Sequence, residues 1–409
     1  MAGTHWYPPR FIFRAKEIAT PMQNDHLAPA AKQVMAAALA LEPEIKAASA
    51  TMEDERRLPP ALAHKLMEAG VFRMGTPRVY GGTELDPMSQ VRVVEELSRI
   101  EGSVGWLSMI STAGSFIPAY LEPPAAQRLF GAVESVVAGQ VRPPHRADLV
   151  EGGYRLSGTY HFGSGCQHAS VFTAGCNIYE NGELRRHGRH PEYRVLLVPA
   201  SKVTIVDVWD TTGMRGTGSN DIVIDNVFVP FSDSTTMMEK PHTPGPLYGF
   251  PPLFLVSHAG VPLGIARNAL DFVEELTTQK KSVPSGQLMR EDPVVQETIA
   301  WAEAHLGAAR GYVYATLEDL WETLCKGDRP SPKQRAAYRM MITYSHQAAK
   351  QVITTLYDTA ATSSIFKPSR LDRDVRDILT ACQHRVVHLR MYRPAGRLLL
   401  GLEPEEPLF

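Results

Sequence analysis

The 409-residue sequence predicts an α+β protein made of a helical N-terminal domain, a central antiparallel β domain and a C-terminal four-helix bundle. Three observations support this prediction. Apolar residues first recur with a helical period, short β-rich runs then alternate with turn residues, and four long Ala-rich helical patterns follow. At roughly 150 residues per domain, the length fits two or three such units.

We expect the helical N-terminal domain to cover residues 26–133. Residues 1–25 contain no continuous apolar stretch of signal-peptide type, and we interpret them as a poorly ordered extension. The first helical period, from residue 30 to residue 52, is interrupted by Pro43. The segment VGWLSMISTAGSFIPAYL, residues 104–121, is apolar on nearly all sides, which is typical of a buried helix.

The β domain is expected over residues 134–232 and the helical bundle over residues 233–409. Between 134 and 232, runs such as YRLSGTY, YRVLLVP and DIVIDNVFV are separated by Gly, Asn, Asp and Pro. The Pro-rich segment PHTPGPLYGFPP, residues 241–252, separates these strands from the bundle. The last bundle helix is predicted to include DVRDILTACQHRVVHLRMYRPAG.

Charge and composition favour small molecules as ligands. The formal charge is −2, with 42 Lys and Arg against 44 Asp and Glu, so no overall field attracts nucleic acid or an anionic membrane. Four widely spaced cysteines form no CxxC pair, which argues against a structural zinc site and fits a reducing cytoplasm. No run of 18 apolar residues suggests a membrane span.

The segment FGSGCQHA, residues 162–169, follows a predicted strand and carries the most reactive residue types. A serine hydrolase would need its GxSxG turn between a strand and a helix of a parallel sheet, whereas Ser164 lies in a predicted antiparallel domain. The HGRH segment, residues 187–190, has no carboxylate or Cys at ligand spacing, so we expect no metal there. GTGSND, residues 216–221, precedes a strand and lacks the third Gly of a dinucleotide-binding turn.

Five segments, in order, resemble the acyl-CoA dehydrogenase superfamily. They are GVFRMGTPRVYGG, VVEELSRIEGSVGW, GGYRLSGTYHFGSGCQHA, WDTTGMRGTGSNDIVIDNVFVP, and RDVRDI followed by AGRLLLG. The resemblance spans residues 30–402 and is greatest to the flavin-dependent monooxygenases of two-component (group D) systems. It implies the same order of domains and a homotetramer.

The resemblance also implies a reaction. Reduced FAD or FMN, supplied by a partner flavin reductase, would react with O2 through a C4a-hydroperoxide to hydroxylate a small aromatic or heteroaromatic substrate. Ser164 would contact the flavin N5, and the small neighbours Gly163 and Gly165 would let the ring approach the backbone. The family often has a hydroxyl residue where this sequence has Gly163, so the N5 contact could come from a backbone amide there or from Ser164.

In the monooxygenases, a late histidine handles the substrate proton, and the match places it at His384, with His388 in reserve. The cavity wall from the 104–121 helix would be apolar, with candidates Trp106, Met109 and Ile110. Further residues matching loops that approach flavin or substrate in the family are Gln140, Arg142 and Arg215.

Two alternatives remain open from the sequence. An acyl-CoA dehydrogenase or oxidase, acting on a possibly aromatic thioester, needs a carboxylate base. The usual position of that base is occupied by Cys382, although Glu274 and Glu275 are available on an earlier helix. A protein that kept the fold as a flavin or acyl-group binder without catalysis is the second alternative.

Overall fold

The computed structural model describes residues 27–188, 190–283, 285–367 and 369–406, with only the backbone at 143 and 144. The predicted extension 1–25 therefore lies outside the described residues. The fold class is confirmed: helices come first, a sheet follows, and helices complete the chain.

In the described part of the chain, six α-helices precede the sheet. They are α1 (Pro29–Ala40), α2 (Glu42–Glu55), α3 (Pro60–Glu68), α4 (Pro87–Ile100), α5 (Gly102–Gly114) and α6 (Pro123–Phe130). Four of them begin with proline, whose missing N–H costs nothing in a first turn. Asp86 caps α4 by accepting a hydrogen bond from the Ser89 amide at 2.9 Å. The predicted interruption at Pro43 is the break between α1 and α2.

The main sheet contains eight strands: β1 (Val137–Val150), β2 (Gly153–Gly163), β3 (Val171–Glu180), β4 (Glu183–Leu184), β7 (Tyr193–Pro199), β8 (Thr204–Val206), β9 (Asn220–Pro230) and β10 (Ser234–Thr235). A separate hairpin pairs β5 (Arg186–His187) with β6 (His190–Pro191). Across the main sheet the strands lie in the order β10-β7-β3-β1-β2-β9-β8, and β4 pairs with β3. One feature of the predicted antiparallel domain is wrong: β1 and β3 pair in parallel, so the sheet is mixed. The reason is that β2 folds back on the other side of β1 and β3 crosses over to the free edge.

The C-terminal helices are α7 (Gly260–Thr277), α8 (Pro293–Cys325), α9 (Pro332–Ala360), α10 (Arg370–Ala381) and α11 (Tyr392–Leu399). A 3₁₀ segment, Pro251–Ala259, leads directly into α7. Among the described residues, Pro251–Thr277 is long and apolar enough to cross a membrane, but 94% of its most apolar window is buried inside the fold. It packs as a core helix against α4, α5 and α9.

Polar contacts, one of them fully buried, join the three parts of the chain. Asp377 of α10 accepts a hydrogen bond from the Met214 amide, at 2.5 Å, in the loop before β9. Arg376 donates to Glu53 of α2 at 2.5 Å and to the Thr212 carbonyl at 2.7 Å. The β domain is thereby fixed against helices from both ends of the sequence.

Candidate active site

A cavity of about 580 Å³ lies between the sheet and the helices. Its wall is built from α5, β1, the turn after β2, the loop before β9, the 3₁₀ segment before α7, α9 and the residues after α10. The volume lies in the range of about 300 to 1,000 Å³ that small-molecule and cofactor sites occupy. Its lining is mainly apolar, with a few converging polar groups.

Three hydroxyl groups form a chain of hydrogen bonds on the β-domain side of the cavity. Ser164 Oγ lies 2.7 Å from Ser219 Oγ, which lies 2.7 Å from Thr217 Oγ1. Thr217 donates its proton to the Met214 carbonyl at 2.8 Å, and Trp106 Nε1 donates to Ser164 Oγ at 3.1 Å.

The direction of each hydrogen bond in this chain follows from its two ends. A hydroxyl has one proton and two lone pairs. Because the Thr217 proton is used by a carbonyl, Ser219 must donate to Thr217 and Ser164 must donate to Ser219. Ser164 accepts from Trp106 and retains one lone pair, so it meets a ligand as a hydrogen-bond acceptor.

Two histidines lie on the helical side of the same cavity. The imidazole rings of His258 and His384 are 5.0 Å apart between centroids and tilted by 33°. The Trp106 ring is edge-on to both imidazoles, and its centroid lies 5.5 Å from that of His384 and 6.1 Å from that of His258. Trp106 therefore contacts both the hydroxyl chain and the histidine pair.

Both histidines are neutral at neutral pH. Burial, together with the positive charges of Arg339 and Arg142, lowers the pKa of His384 to about 4. Burial lowers the pKa of His258 well below its usual value, with His384, His346 and Arg339 adding to the effect. Each histidine carries a buried Nδ1 that has no hydrogen-bond partner among the described residues.

Position and packing hold the histidines in the wall. His258 is 1% exposed and sits at the end of the 3₁₀ segment, which is tied to α9 by a hydrogen bond of 2.7 Å from the Tyr338 hydroxyl to the Pro252 carbonyl. His384 follows the end of α10, and its amide donates to the Ala381 carbonyl at 3.1 Å.

Three arginines and one glutamate line another part of the cavity. Arg142 of β1 donates to Glu406 at 3.1 Å, and Arg385 lies 3.8 Å from the same carboxylate. Arg339 of α9 is 2% exposed and donates to the Val386 carbonyl at 3.2 Å. Among the described residues, Glu406 is the one carboxylate in the lining.

Six residues predicted from the sequence line the cavity: Trp106, Ile110, Gln140, Arg142, Ser164 and His384. Gln140 donates to the His161 carbonyl at the end of β2. The buried Ser164 is fixed by its amide, which donates to the Phe162 carbonyl at 2.9 Å.

The two glycines beside Ser164 are not among the residues that line the cavity, and their predicted role toward the flavin stays a prediction. A Cβ on Gly163 would lie 2.4 Å from Ile222 Cδ1, so this glycine permits close packing against β9. Gly165 has φ +73°, a left-handed backbone that an L side chain rarely adopts. Both glycines therefore serve the turn itself.

The structure corrects the predicted helix around the late histidines. α10 ends at Ala381, and the chain continues as two 3₁₀ turns, Arg385–Val387 and Leu389–Met391. His384 lies outside any helix, with ψ 134°. His388, the reserve candidate, is exposed between the two turns and is not among the residues that line the cavity.

Two further predicted residues lie elsewhere. Met109 is fully buried in the helical core because Trp106 and Ile110 occupy the face of α5 that borders the cavity. Arg215 does not line the cavity: its guanidinium donates to Asp210 at 2.7 Å and to the Glu53 carbonyl at 2.8 Å. It joins the loop before β9 to α2 instead of facing the cavity.

Sequence reasoning missed several lining residues, chiefly His258, Arg339, Thr217 and Ser219. His258 is the single strongly polar side chain in the apolar run LFLVSHAGV, which was the available signal. Thr217 and Ser219 belong to the GTGSND segment, whose glycine spacing was compared only with that of a dinucleotide-binding turn. Arg339 lies in the Ala-rich pattern of α9, where nothing distinguished it from a surface charge.

No metal site emerges from the described part of the chain, where no three His, Cys, Asp or Glu side chains gather as ligands. His187 and His190 are exposed and pair across the β5–β6 hairpin.

Two family models match the sequence. The N-terminal domain of acyl-CoA dehydrogenase matches residues 31–122, and the C-terminal domain matches residues 256–389, together more than half of the chain. The second match contains His258, Arg339 and His384.

Curated relatives cover nearly the whole chain. An indole-3-acetate monooxygenase of Acinetobacter baumannii is 27% identical over 369 residues, which are 90% of this chain and 94% of the relative. The oxygenase subunit HsaA of a flavin-dependent monooxygenase of Mycobacterium tuberculosis is 28% identical over 393 residues, which are 92% of this chain and 98% of the relative.

Solved structures agree with these relatives. The 3-HSA hydroxylase of Rhodococcus sp. RHA1 superposes with a TM-score of 0.85 at 25% identity, covering 92% of this chain and 99% of that one. HsaA of M. tuberculosis superposes with a TM-score of 0.83 at 26% identity, covering 93% of this chain and 100% of that one. The chain therefore belongs to the acyl-CoA dehydrogenase superfamily, and its relatives there are flavin-dependent monooxygenases.

Proposed function

We propose that this protein is the oxygenase component of a two-component flavin-dependent monooxygenase, using reduced flavin and O2 to hydroxylate a small aromatic or heteroaromatic substrate. One observation carries the proposal. Trp106 joins an accepting Ser164 hydroxyl to a pair of neutral histidines, His258 and His384, inside one mostly apolar cavity. The relatives named for aromatic hydroxylation support the same conclusion.

The donor set of the cavity fits a flavin ring. Trp106, Trp209, Phe162 and Phe254 supply apolar, largely aromatic wall, and the chain ending at Ser164 supplies directed polar contacts. The remaining lone pair of Ser164 suits a donor such as the N5–H of a reduced flavin. A bound reduced flavin would supply the two electrons and the activation of O2.

The protein's own residues can accept the proton that the reaction releases. A neutral imidazole can accept the proton that an aromatic O–H or N–H releases during hydroxylation. His384 is deprotonated at neutral pH because its pKa is lowered to about 4, so its imidazole is free to accept a proton. His258 lies beside it and is positioned to bind or relay the same proton.

The carboxylates that the sequence offers as a base for the dehydrogenase alternative do not lie at this site. Glu274 interacts with Arg267 on α7, and neither Glu274 nor Glu275 lines the cavity. Cys382 is buried and directs its thiol to the His346 carbonyl at 3.6 Å. Glu406 lines the cavity, but its carboxylate accepts a hydrogen bond from Arg142 at 3.1 Å and lies 3.8 Å from Arg385.

The remaining properties are proposals that rest on family likeness. A flavin reductase would supply reduced FAD or FMN, as the relatives described as oxygenase components imply. A cytoplasmic location and a homotetramer are proposed as well. Exposed apolar side chains at Leu399, Leu400 and Leu402 support an assembly, and light scattering of the purified chain tests it.

The test combines the full chain with a flavin reductase, NADH, FAD or FMN, O2 and a panel of phenols and indoles. We expect a hydroxylated product to account for part of the O2 consumed, and none to form when the reductase is omitted. In a parallel anaerobic experiment, acyl-CoA thioesters should leave the absorbance of the oxidised flavin unchanged.

Bleaching of the flavin by an acyl-CoA, with no hydroxylated product from the panel, would overturn the proposal in favour of a dehydrogenase. Flavin binding with neither reaction would favour the non-catalytic alternative.

A further inference from the structure

We propose that Thr343 and His346 of α9 are positioning residues, which hold His384 in the tautomer whose Nε2 lone pair faces the cavity. The inference rests on the proposed function where it makes Nε2 the atom that accepts the substrate proton. The choice of tautomer rests on the contacts of α9 with the segment after α10.

Two side chains of α9 carry buried polar atoms behind the cavity wall. Thr343 and His346 are fully buried, and neither is among the residues that line the cavity. Thr343 Oγ1 and His346 Nε2 have no hydrogen-bond partner among the described residues. Native interiors contain few such atoms, and each of them calls for a structural or functional reason.

The segment after α10 runs along α9 in the opposite direction. Arg339 donates to the Val386 carbonyl at 3.2 Å, and the Cys382 thiol donates to the His346 carbonyl at 3.6 Å. The earlier residue of α9 thus contacts the later residue of the other segment. The part of α9 between the two contacts therefore lies beside residues 383–385.

This arrangement places Thr343 opposite His384. Thr343 lies between the two contact residues of α9, four positions after one and three before the other, and these spacings bring all three to one helix face. His384 is midway between the two contact residues of its own segment. Its ring lines the cavity, while its Nδ1 is buried without a hydrogen-bond partner among the described residues.

The direction of a hydrogen-bond chain through these atoms follows from its inner end. His346 Nδ1 lies 2.9 Å from the Ile342 carbonyl, which can only accept, so Nδ1 carries a proton. Burial lowers the pKa of His346 to about 4, and a charge on His384 adds to the lowering. The ring is therefore neutral at neutral pH, and its Nε2 offers a lone pair. The Thr343 hydroxyl can donate to that lone pair and accept from an N–H at His384 Nδ1.

The chain fixes which nitrogen of His384 meets the ligand. With the proton of the neutral ring on Nδ1, the lone pair of Nε2 faces the cavity. Hydrogen bonds at catalytic groups are often long without a ligand and shorten when it binds, so this chain closes on a filled cavity. When Nε2 takes the ligand proton, the ligand O–H or N–H bond breaks and an N–H bond forms. The chain then stabilises the imidazolium at Nδ1.

The first test measures the ionisation of a bound phenol and needs no turnover. The full chain, saturated with oxidised flavin, binds 4-nitrophenol, whose anion absorbs visible light, and the absorbance difference from flavin-loaded protein is followed with pH. Thr343→Val and His346→Leu should each raise the midpoint of ionisation by about 0.5 to 1 pH unit, as the loss of one hydrogen bond gives. 4-Nitroanisole, which has a similar shape but no O–H, should bind both variants with wild-type affinity.

The other titratable groups that act on His384 are Arg339, Arg142 and His258. All three are unchanged in these variants, so their charges do not account for a difference from the wild type.

Conservative variants separate hydrogen bonding from packing. Thr343→Ser keeps the hydroxyl and His346→Gln keeps an acceptor near the position of Nε2, so both should return the midpoint close to that of the wild type. Thr354→Val is the matched control on α9, because the Thr354 hydroxyl donates to the Lys350 carbonyl of its own helix and lies outside the cavity lining. It should leave the midpoint unchanged.

Single turnovers give the second readout. Thr343→Val and His346→Leu should lower the rate of product formation about 10- to 100-fold, as the loss of a partner that orients an imidazole does, and leave substrate affinity unchanged. If His346→Leu fails to fold by circular dichroism, the nearly isosteric Thr343→Val and its serine counterpart decide.

A wild-type midpoint in both Thr343→Val and His346→Leu would show that this chain does not position His384. Serine and glutamine variants as impaired as the valine and leucine variants would count against it equally, because packing alone would then explain the effect. If the midpoints shift as expected while the wild type and its reductase form no hydroxylated product, the proposed function fails and the positioning of His384 stands.

Discussion

Ser164 is defined by its neighbours more than by its own reactivity. Ser164 donates its proton to Ser219, Ser219 donates to Thr217, and Thr217 donates to the Met214 carbonyl. Trp106 occupies one lone pair. The result is a hydroxyl that presents a single lone pair in a fixed direction, which is what preorganisation toward a ligand N–H requires.

Ser219→Ala should loosen this arrangement without removing Ser164. Losing one buried hydrogen bond costs about 0.5 to 1.5 kcal/mol, so flavin should bind roughly three- to tenfold more weakly, as fluorescence titration can measure. The fraction of consumed O2 that appears as product should also fall. Ser157→Ala is the control because Ser157 is exposed on β2 and bonds to the Asn226 amide away from the cavity. An identical flavin affinity in Ser219→Ala and Ser157→Ala would contradict the directed chain.

The titration of His384 makes a prediction with a definite sign. Its lowered pKa means that the neutral, proton-accepting form predominates above about pH 4. The rate of product formation in a single turnover should therefore be flat from about pH 8 to pH 5 and fall only as the pH approaches 4. An unperturbed histidine would instead give a fall centred near pH 6.5.

His384→Asn provides the comparison for this pH profile. It should lower the plateau about 10²- to 10⁴-fold, the usual contribution of a general base, and abolish the acid limb. A wild-type rate that already halves near pH 6.5 would show that His384 is not the group that accepts the proton.

For single residues, the sequence predicted which side chains lie at the cavity better than it predicted what each of them does there. Ser164 and His384 could be found because the family motif fixes their positions along the chain. The roles of Gly163 and Gly165 could not, because they depend on Ile222 across the sheet and on a backbone angle. His258 was missed because its partner, His384, lies 126 residues away in the sequence.

Among the elements, α10 connects the cavity to the rest of the fold. Asp377 is 2% exposed, and its Oδ1 accepts the Met214 amide at the start of the loop that carries Thr217 and Ser219. Burial and the nearby Glu101 raise the pKa of Asp377 well above its usual value. The contact to the Met214 amide needs only an acceptor oxygen, which a neutral carboxamide also supplies.

Two substitutions of Asp377 separate its hydrogen bond from its charge. Asp377→Asn keeps an acceptor oxygen and should change the free energy of unfolding by less than about 1 kcal/mol. Asp377→Ala leaves the Met214 amide buried without an acceptor and should cost about 1 to 3 kcal/mol. Urea unfolding measures both. Equal losses in the two variants would mean that the charge, and not the hydrogen bond, holds this loop.

Element ends and faces were the least predictable features. The stretch CQHRVVHLRM contains no Gly or Pro, so nothing in the sequence stopped the predicted helix, yet α10 ends at Ala381. The face of α5 toward the cavity carries Trp106 and Ile110, but α5 is apolar on almost every side and periodicity could not exclude Met109. The parallel pairing of β1 with β3 depends on a crossover that strand patterns do not encode.

The cavity belongs to the whole molecule, since it is bounded by α5 from the N-terminal helices, by β1 and the β9 loop from the sheet, and by α9 from the bundle. No one of these parts encloses it alone. A ligand held there contacts all three parts, so its binding free energy should stabilise the folded chain as one unit.

Thermal unfolding tests this prediction. Flavin at about a hundred times its dissociation constant should add about 2.7 kcal/mol to the free energy of unfolding and raise the midpoint by a few degrees in a single transition. ADP, which shares phosphates with FAD but lacks the ring, is the control and should leave the midpoint unchanged.

Because the Asp377 hydrogen bond joins the sheet to α10, Asp377→Ala should split or broaden the thermal transition, and flavin should then shift mainly the part that unfolds at higher temperature. Two separate transitions in the wild type, with flavin moving only one of them, would show that the site is built by one part of the fold and that the other parts only cover it.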